Sequence, residues 1–330
     1  MQQTTLSTPS SYEWQCLTEQ AAFAARDGAG ALVFKERMWL LGGWNPQDKL
    51  NFPRICNSEV WCSRDGEEWI EVCEEAPWEG RHTAGYVVHD ERMWIVGGDC
   101  NQGYYQPDVW SSADGVAWEQ ITESAPWGQR ALHYTAAFAG KIWVMGGQTL
   151  PQFANEEEVF YNDVWNSADG KNWVKVSEHA PWTPRGMIGH SAIFADRLWI
   201  LGGGTYDTPR INSRQFYNDV WSTDDGVNWK QHTSAAPWAP RQYHDVAVWD
   251  EKLWVMEGVY NEAATRSMDE ARESWNRNDV WYSADGANWT ELPATPWAPR
   301  HAASPFVYDD ALWMVAGNNM FPDVWKLVRK

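Results

Sequence analysis

Five of the eight histidines lie within five residues of an arginine that recurs along the chain, and this spacing is the first sign of chemistry. His82 and His301 stand one place after Arg81 and Arg300, and Asp27 holds the same place after Arg26. His133 and His244 stand three places after Arg130 and Arg241, while His190 follows Arg185 across a one-residue insertion. Along a strand, places one and three face the same side. Arranged about a common axis, Asp27, His82 and His301 would form a set of two imidazoles and a carboxylate, which suits non-haem iron. His133, His190 and His244 would form a three-imidazole set, which suits zinc, copper or iron. The competing reading is plain: these imidazoles bond neighbouring backbone, and Asp27, His82 and His301 are solvated loop residues.

Glu257 is the sharpest single departure, because it stands where other parts of the chain carry glycine. A carboxylate is costly to bury unpaired, so Arg241 or His244 is its expected partner. As chemistry it would ligate a metal, orient His244 or act as a general base; as structure it would simply pair with Arg241. Arg81, Arg130 and Arg300 are candidate donors to a carboxylate or phosphate substrate through bidentate bonds, and Arg241 joins Glu257 and Asp27 as a candidate catalytic residue. The alternative is that every repeat arginine bonds across neighbouring units. Trp44 and Trp275 complete the candidate substrate contacts, since neither has a counterpart elsewhere in the chain.

The elements that must position these residues come from one unit copied six times, starting at Arg26, Arg81, Arg130, Arg185, Arg241 and Arg300. The intervals are 55, 49, 55, 56 and 59 residues. Sixteen residues after the arginine, or seventeen in the fourth copy, comes a glycine pair or its relic, Glu257-Gly258 and Ala316-Gly317 being the relics. A Val-Trp pair, a Ser-x-Asp-Gly-x-x-Trp segment and Ala-Pro-Trp or its like follow. Asp-Gly between two such strands is a strong hairpin signal, so each unit reads as four short strands. A four-stranded meander at this spacing is a propeller blade, because radial repetition buries both faces of each sheet. The expected fold is all-β, a single six-bladed propeller over residues 1–330. The last copy lacks its fourth strand, and residues 12–17 at the other end fit that place, so the N-terminal segment is expected to close the ring. The connections between second and third strands vary in length on the face that carries the arginines, which places the binding site there. Glu262 to Asn276, within the fifth, is rich in Ala, Glu, Arg and Met and reads as a short helix or a surface loop.

Composition narrows the function. A net charge of −19 disfavours nucleic acid and anionic membranes as partners. No apolar run approaches the roughly 20 residues of a membrane helix, and Met1 to Ser11 carries no export signal, so a cytoplasmic protein is expected. Five cysteines without a Cys-x-x-Cys pair suggest reduced thiols. Nucleophile elbow, phosphate loop and dinucleotide fingerprint are all missing.

The arginine, the diglycine after a hydrophobic strand and the downstream tryptophan together resemble the kelch repeat, over essentially the whole chain. Glu257 and Ala316 depart from that pattern. The Ser-x-Asp-Gly-x-x-Trp segments look like the Asp-box of sialidase propellers, one residue shorter, and read as turns. The kelch resemblance implies that the place just after the arginine faces the pocket, hence Asp27, His82 and His301. Within it, nitrile-specifier proteins use iron at the mouth and sialic acid mutarotases use acid/base residues; the Glu-xxx-Asp-xxx-His run of the former is absent from the fifth connection. The expectation is therefore a small-molecule enzyme with its site at the mouth, with a divalent metal (iron, copper or zinc) as possible cofactor and acid/base assistance. The alternative is a non-catalytic module that binds a peptide, glycan or protein on the same face. No partner subunit is required by a closed ring.

Overall fold

The computed structural model describes residues 11–46, 55–98, 105–149, 157–186, 191–205, 215–260 and 275–330. They form six four-stranded antiparallel sheets, each a simple meander, with a two-stranded ribbon of Gln148–Thr149 and Val159–Phe160 beside the third. The first blade runs Gly30–Val33, Met38–Leu41, Val60–Ser63 and Trp69–Cys73. The first strands of successive blades, from Gly30–Val33 to Ser304–Tyr308, touch one another around a complete ring, which makes them the inner wall of a propeller. The second strands Met38–Leu41 and Ala311–Val315 are buried along their whole length, and the other four are buried beyond a leading Lys or Arg, as their apolar runs require.

Tyr12–Thr18 pairs antiparallel with Val324–Arg329, from Tyr12 opposite Arg329 to Cys16 opposite Trp325, and so supplies the fourth strand of the sixth blade. The ring is closed by joining the two ends of the chain. This leaves no open edge between first and last blade.

The tryptophans are accounted for by the contacts between blades. The Ala-Pro-Trp tryptophan of one unit meets the fourth-strand tryptophan of the next edge-on: Trp78 with Trp118, Trp127 with Trp173, Trp182 with Trp229 and Trp238 with Trp289, at centroid separations of 5.8 to 6.0 Å. Trp297 makes the same contact with Trp14 of the closing strand. The sixth contact is Phe23 with Trp69, at 5.1 Å and 88°. Phe23 stands three places before Arg26, as Trp78 stands before Arg81, and the sequence pattern of tryptophans alone does not reveal it. Edge-to-face aromatic pairs contribute about 0.5–1.5 kcal/mol beyond their buried area.

A second set of contacts explains the Asp-Gly turns. Gly226 has φ of 76°, and a Cβ there would lie 2.3 Å from Cζ3 of Trp143 in the preceding blade. Gly66, Gly115, Gly170 and Gly286 meet second-strand tryptophans in the same way. The turn thus needs glycine both for its backbone and for the ring it lies upon. At the closing blade Tyr12 takes this place, 5.1 Å from Trp254.

Residues 261–274, and with them most of the expected helix from Glu262 to Asn276, lie outside the described residues. No described helix is long and apolar enough to cross a membrane.

Removing residues 1–18 deletes the closing strand together with the Trp14 and Tyr12 contacts. The truncated chain is expected to melt at least about 5 °C lower and to self-associate through the exposed edge on size exclusion; an unchanged midpoint would refute the closure.

Candidate functional site

The repeat arginines are structural. Arg81 is fully buried and donates from Nη1 to the carbonyl of Gly97 at 3.0 Å and to Oδ1 of Asp108 at 2.7 Å. Asp108 also accepts from Nε1 of Trp110 at 2.7 Å. The same three-way arrangement joins Arg26, Glu59 and Trp61; Arg130, Asp163 and Trp165; Arg185, Asp219 and Trp221; Arg241, Asp279 and Trp281; and Arg300, Asp323 and Trp325. Every one of these bonds lies within a single blade. The expected bonding of the arginines across neighbouring blades is made by their backbone instead: the carbonyls of Arg26, Arg81, Arg185, Arg241 and Arg300 accept from the second glycine position of the preceding blade at 2.8 to 3.1 Å. The guanidinium groups of Arg81, Arg130 and Arg300, expected at substrate, and of Arg241, expected in catalysis, are held inside their own blades. Each guanidinium is turned into the blade and neutralised by a carboxylate from the Asp-Val-Trp run, or Glu-Val-Trp in the first copy. The donors that argued for an anionic substrate are thereby spent.

His133 and His244 are also absorbed by the frame. Nδ1 of His133 bonds Oγ1 of Thr135 at 2.8 Å, and its ring lies against the second blade, 5.8 Å from Trp127. Nε2 of His244 bonds the carbonyl of Leu201 in the fourth blade at 2.9 Å. Burial, followed by the charge of Arg130 or Arg241, pushes both imidazoles down to about 3, so both are neutral. They occupy different seams between blades and do not converge. His190 lies outside the described residues.

Glu257 is fully buried with a left-handed φ of 51°, the conformation that glycine holds at the same place in the first four blades. Neither expected partner pairs with its carboxyl. Arg241 donates to the main-chain carbonyl of Glu257 at 2.7 Å and gives its charge to Asp279, and His244 is engaged with Leu201. Its Oε1 accepts instead from the backbone N–H of Ala303 in the sixth blade, at 3.4 Å.

What remains lies at the mouth, where residues one and two places after the arginines meet around the axis. Gly28, Thr83, Leu132, Tyr243 and Ala302, each two places after its arginine, all have φ between 52° and 60°. For the four that are not glycine this conformation costs about 1 kcal/mol or more each, and it persists because the ring holds it. Gly28 donates to Ala302 at 2.9 Å and Ala302 to Tyr243 at 2.8 Å, so neighbouring blades are stitched at the rim. The same turn sets the residue before it at the rim. Asp27 and His82 come together across the first and second blades, with Nε2 of His82 3.7 Å from Oδ1 of Asp27. The two residues are only 3% and 7% exposed. Asn318 donates from Nδ2 to Oδ2 of Asp27 at 2.8 Å, and its backbone N–H bonds the carbonyl of His301 at 2.9 Å. The indole of Trp44 lies 6.2 Å from the imidazole of His82. His301 bonds Asn276 through Nδ1 at 2.7 Å, with its ring 5.6 Å from that of Tyr243. Trp275 joins Tyr105, Leu132, Tyr243, Val259 and Ala302 in an apolar cluster. The mouth is thus polar along the sixth, first and second blades and apolar along the third and fifth.

The described residues do not fit the expected metal. No group of three or more His, Cys, Asp or Glu side chains among them is arranged to hold one. His301 bonds Asn276, and His133 and His244 of the second set lie in different seams. Asn318 and Asn276 went unnoticed in the sequence, although Asn318 directly follows the sixth glycine relic as Trp44 follows the first diglycine.

In class the molecule is a six-bladed β-propeller with a polar, partly aromatic mouth. No family model matches the chain. A leucine-zipper-like transcriptional regulator 1 homolog from Drosophila melanogaster is 24% identical over 164 residues, which is 47% of this chain and 16% of that protein. The solved structure of YjhT superposes with a TM-score of 0.70 over 93% of this chain and 95% of its own, at 14% identity, a likeness of fold.

Two measurements test the structural assignments. Arg81→Met strands the Asp108 carboxylate and is expected to cost about 3–5 kcal/mol in urea unfolding; a loss below about 1 kcal/mol would free the arginine for another role. Because His133 and His244 are neutral in the fold and charged when unfolded below pH 6.5, their stabilisation is complete above that pH and lost as pH falls toward about 3. His133→Gln should therefore flatten the acid side of the stability profile, and an unchanged slope would place that imidazole in solvent.

Proposed function

We propose that the mouth binds a small molecule and that Asp27 and His82 transfer a proton to or from it. The observation that carries this reading is the buried Asp27–His82 contact on the polar arc, facing an apolar arc across the axis. Asp27, anchored by Asn318, orients the imidazole and stabilises its charged form, the service a carboxylate gives a catalytic histidine. A separation of 3.7 Å is longer than a hydrogen bond, as such contacts often are before substrate closes on them. Thr83 Oγ1 and Trp44 Nε1 are buried beside this pair and make no hydrogen bond to any described residue. Trp275 and Tyr243 supply the apolar wall.

The reading assigns acid/base chemistry to this chain's own side chains and no step to a metal. It also takes the chain as a kelch-type propeller, on the arginine, diglycine and tryptophan pattern, and as a protein without a nucleic-acid partner, on its net charge of −19.

Thermal-shift screening of metabolite-sized sugars, hydroxy acids, oxo acids and amines, followed by turnover assays on the hits, tests the site. A ligand at about 100 times its Kd adds about 2.7 kcal/mol of stability, and that gain should shrink in Trp44→Ala. Turnover should fall at least about 100-fold in His82→Ala and in Asp27→Asn. A ligand bound without any turnover would turn the reading to a binding module, and turnover indifferent to both substitutions would end it.

A further inference from the structure

The seam between the fifth and sixth blades differs from those between the second and third and between the fourth and fifth blades. At Gly97 an added Cβ would lie 3.1 Å from Nε2 of His133, and at Gly202 it would lie 3.1 Å from Cε1 of His244. In those seams the following blade's imidazole fills the space beside the glycine. In the fifth blade the glycine is replaced by Glu257, and the residue three places after the next arginine is Ala303 in place of histidine. The Glu257 side chain therefore occupies the room that an imidazole takes elsewhere, and bonds the Ala303 N–H.

A second carboxyl group lies beside it. Asp245 opens the inner strand Asp245–Trp249 and pairs with Met256, the residue before Glu257. No other blade has an acid at this place; Gly30, Gly85, Tyr134 and Ser304 hold it in four of them. Asp245 and Glu257 are both completely buried. Neither oxygen of Asp245, nor Oε2 of Glu257, receives a hydrogen bond from any described donor. The surrounding charges are committed elsewhere. Arg300 gives both ends of its guanidinium to Asp323 at 2.7 Å, Arg241 is held by Asp279, and His244 faces Leu201 across the opposite seam. The sixth blade presents Ser304, whose hydroxyl donates to the carbonyl of Ala29 in the first blade. Two ionised carboxylates in such a place would face each other with one long backbone hydrogen bond between them, which burial does not tolerate.

We propose that Asp245 and Glu257 form a proton-holding acid pair, in which one proton shared between the two carboxyl groups closes the seam between the fifth and sixth blades and its loss to solvent loosens that seam. Burial, and for Glu257 the neighbouring Asp245 charge, raises both groups well above the ordinary carboxylate range, against a smaller opposing pull from Arg300. The pair lies beneath the mouth: Tyr243 and His301, whose rings meet across the same seam, stand two residues before Asp245 and Ala303. A change of seam thereby reaches the rim of the channel.

The sign of the pH effect follows from proton counting. The native pair retains a proton that the unfolded chain has released above about pH 4, so stability falls as pH rises, by up to tenfold in the unfolding constant per pH unit for one retained proton. Urea unfolding of the full chain from pH 5 to 9 at constant ionic strength should show this slope in wild type. Glu257→Gln and Asp245→Asn should flatten it, each being at least as stable as wild type at pH 8. Parallel profiles in all three proteins would overturn the proposal, as would a wild type whose stability at pH 8 rises with calcium and falls with chelator, which would make the pair a cation site. Should either variant fail to fold, infrared spectroscopy of wild type at pH 7 decides: a protonated-carboxyl C=O stretch is expected, and its absence would overturn the pair.

Discussion

Each blade is organised around one buried ion pair. The repeat arginine, its carboxylate and the indole N–H of the Val-Trp strand join the first, second and third strands of the sheet, and the arginine's second bond caps a carbonyl at the glycine turn. Burying an arginine is tolerable only because carboxylate and carbonyl acceptors satisfy its donors in a fixed fork. That requirement orders the rest of the repeat. The glycine or its relic must turn left-handed to present its carbonyl, the acid must directly precede Val-Trp, and the arginine must stand sixteen or seventeen residues before the turn. The surplus of acidic residues includes these six partners, whose charge is answered in the blade's interior.

Aromatic contacts then join blade to blade. Edge-to-face pairs recur at all six seams, one depending on Trp14 of the closing strand and another on Phe23. A closed ring of identical seams would be structurally uniform. This ring is not: two seams carry a buried neutral imidazole and one carries two carboxyl groups. Imidazoles that resist protonation favour the fold as pH rises, whereas acids that resist ionisation favour it as pH falls.

The mouth is built from residues that differ from one copy of the repeat to the next. Once each arginine is turned inward, the chain must bend sharply two places later, and the left-handed residues at that bend set their predecessors on the rim. Asp27, His82 and His301 reach the mouth by this route. His133 and His244, two places further along, have already entered the wall of the ring. A shift of two positions along one strand thus separates a candidate proton-transfer group from a structural hydrogen bond.

Much of this was legible in the chain itself. Periodicity alone determines six blades, four strands in each, the closure by residues 12–17 and the structural use of most tryptophans, because every blade solves the same packing problem with the same residues at the same spacing. Phe23 escaped that reading, since another aromatic ring fills the sixth place. The fate of the polar residues was not legible. Whether an arginine faces a ligand or a carboxylate thirty residues away, whether histidines of successive blades converge or enter separate seams, and that Asp245 lies against Glu257 all depend on side-chain direction across contacts distant in sequence. Spacing places such groups on the same rung of a repeat; the turn of the backbone and the room left by the neighbouring blade decide where their charge and protons go.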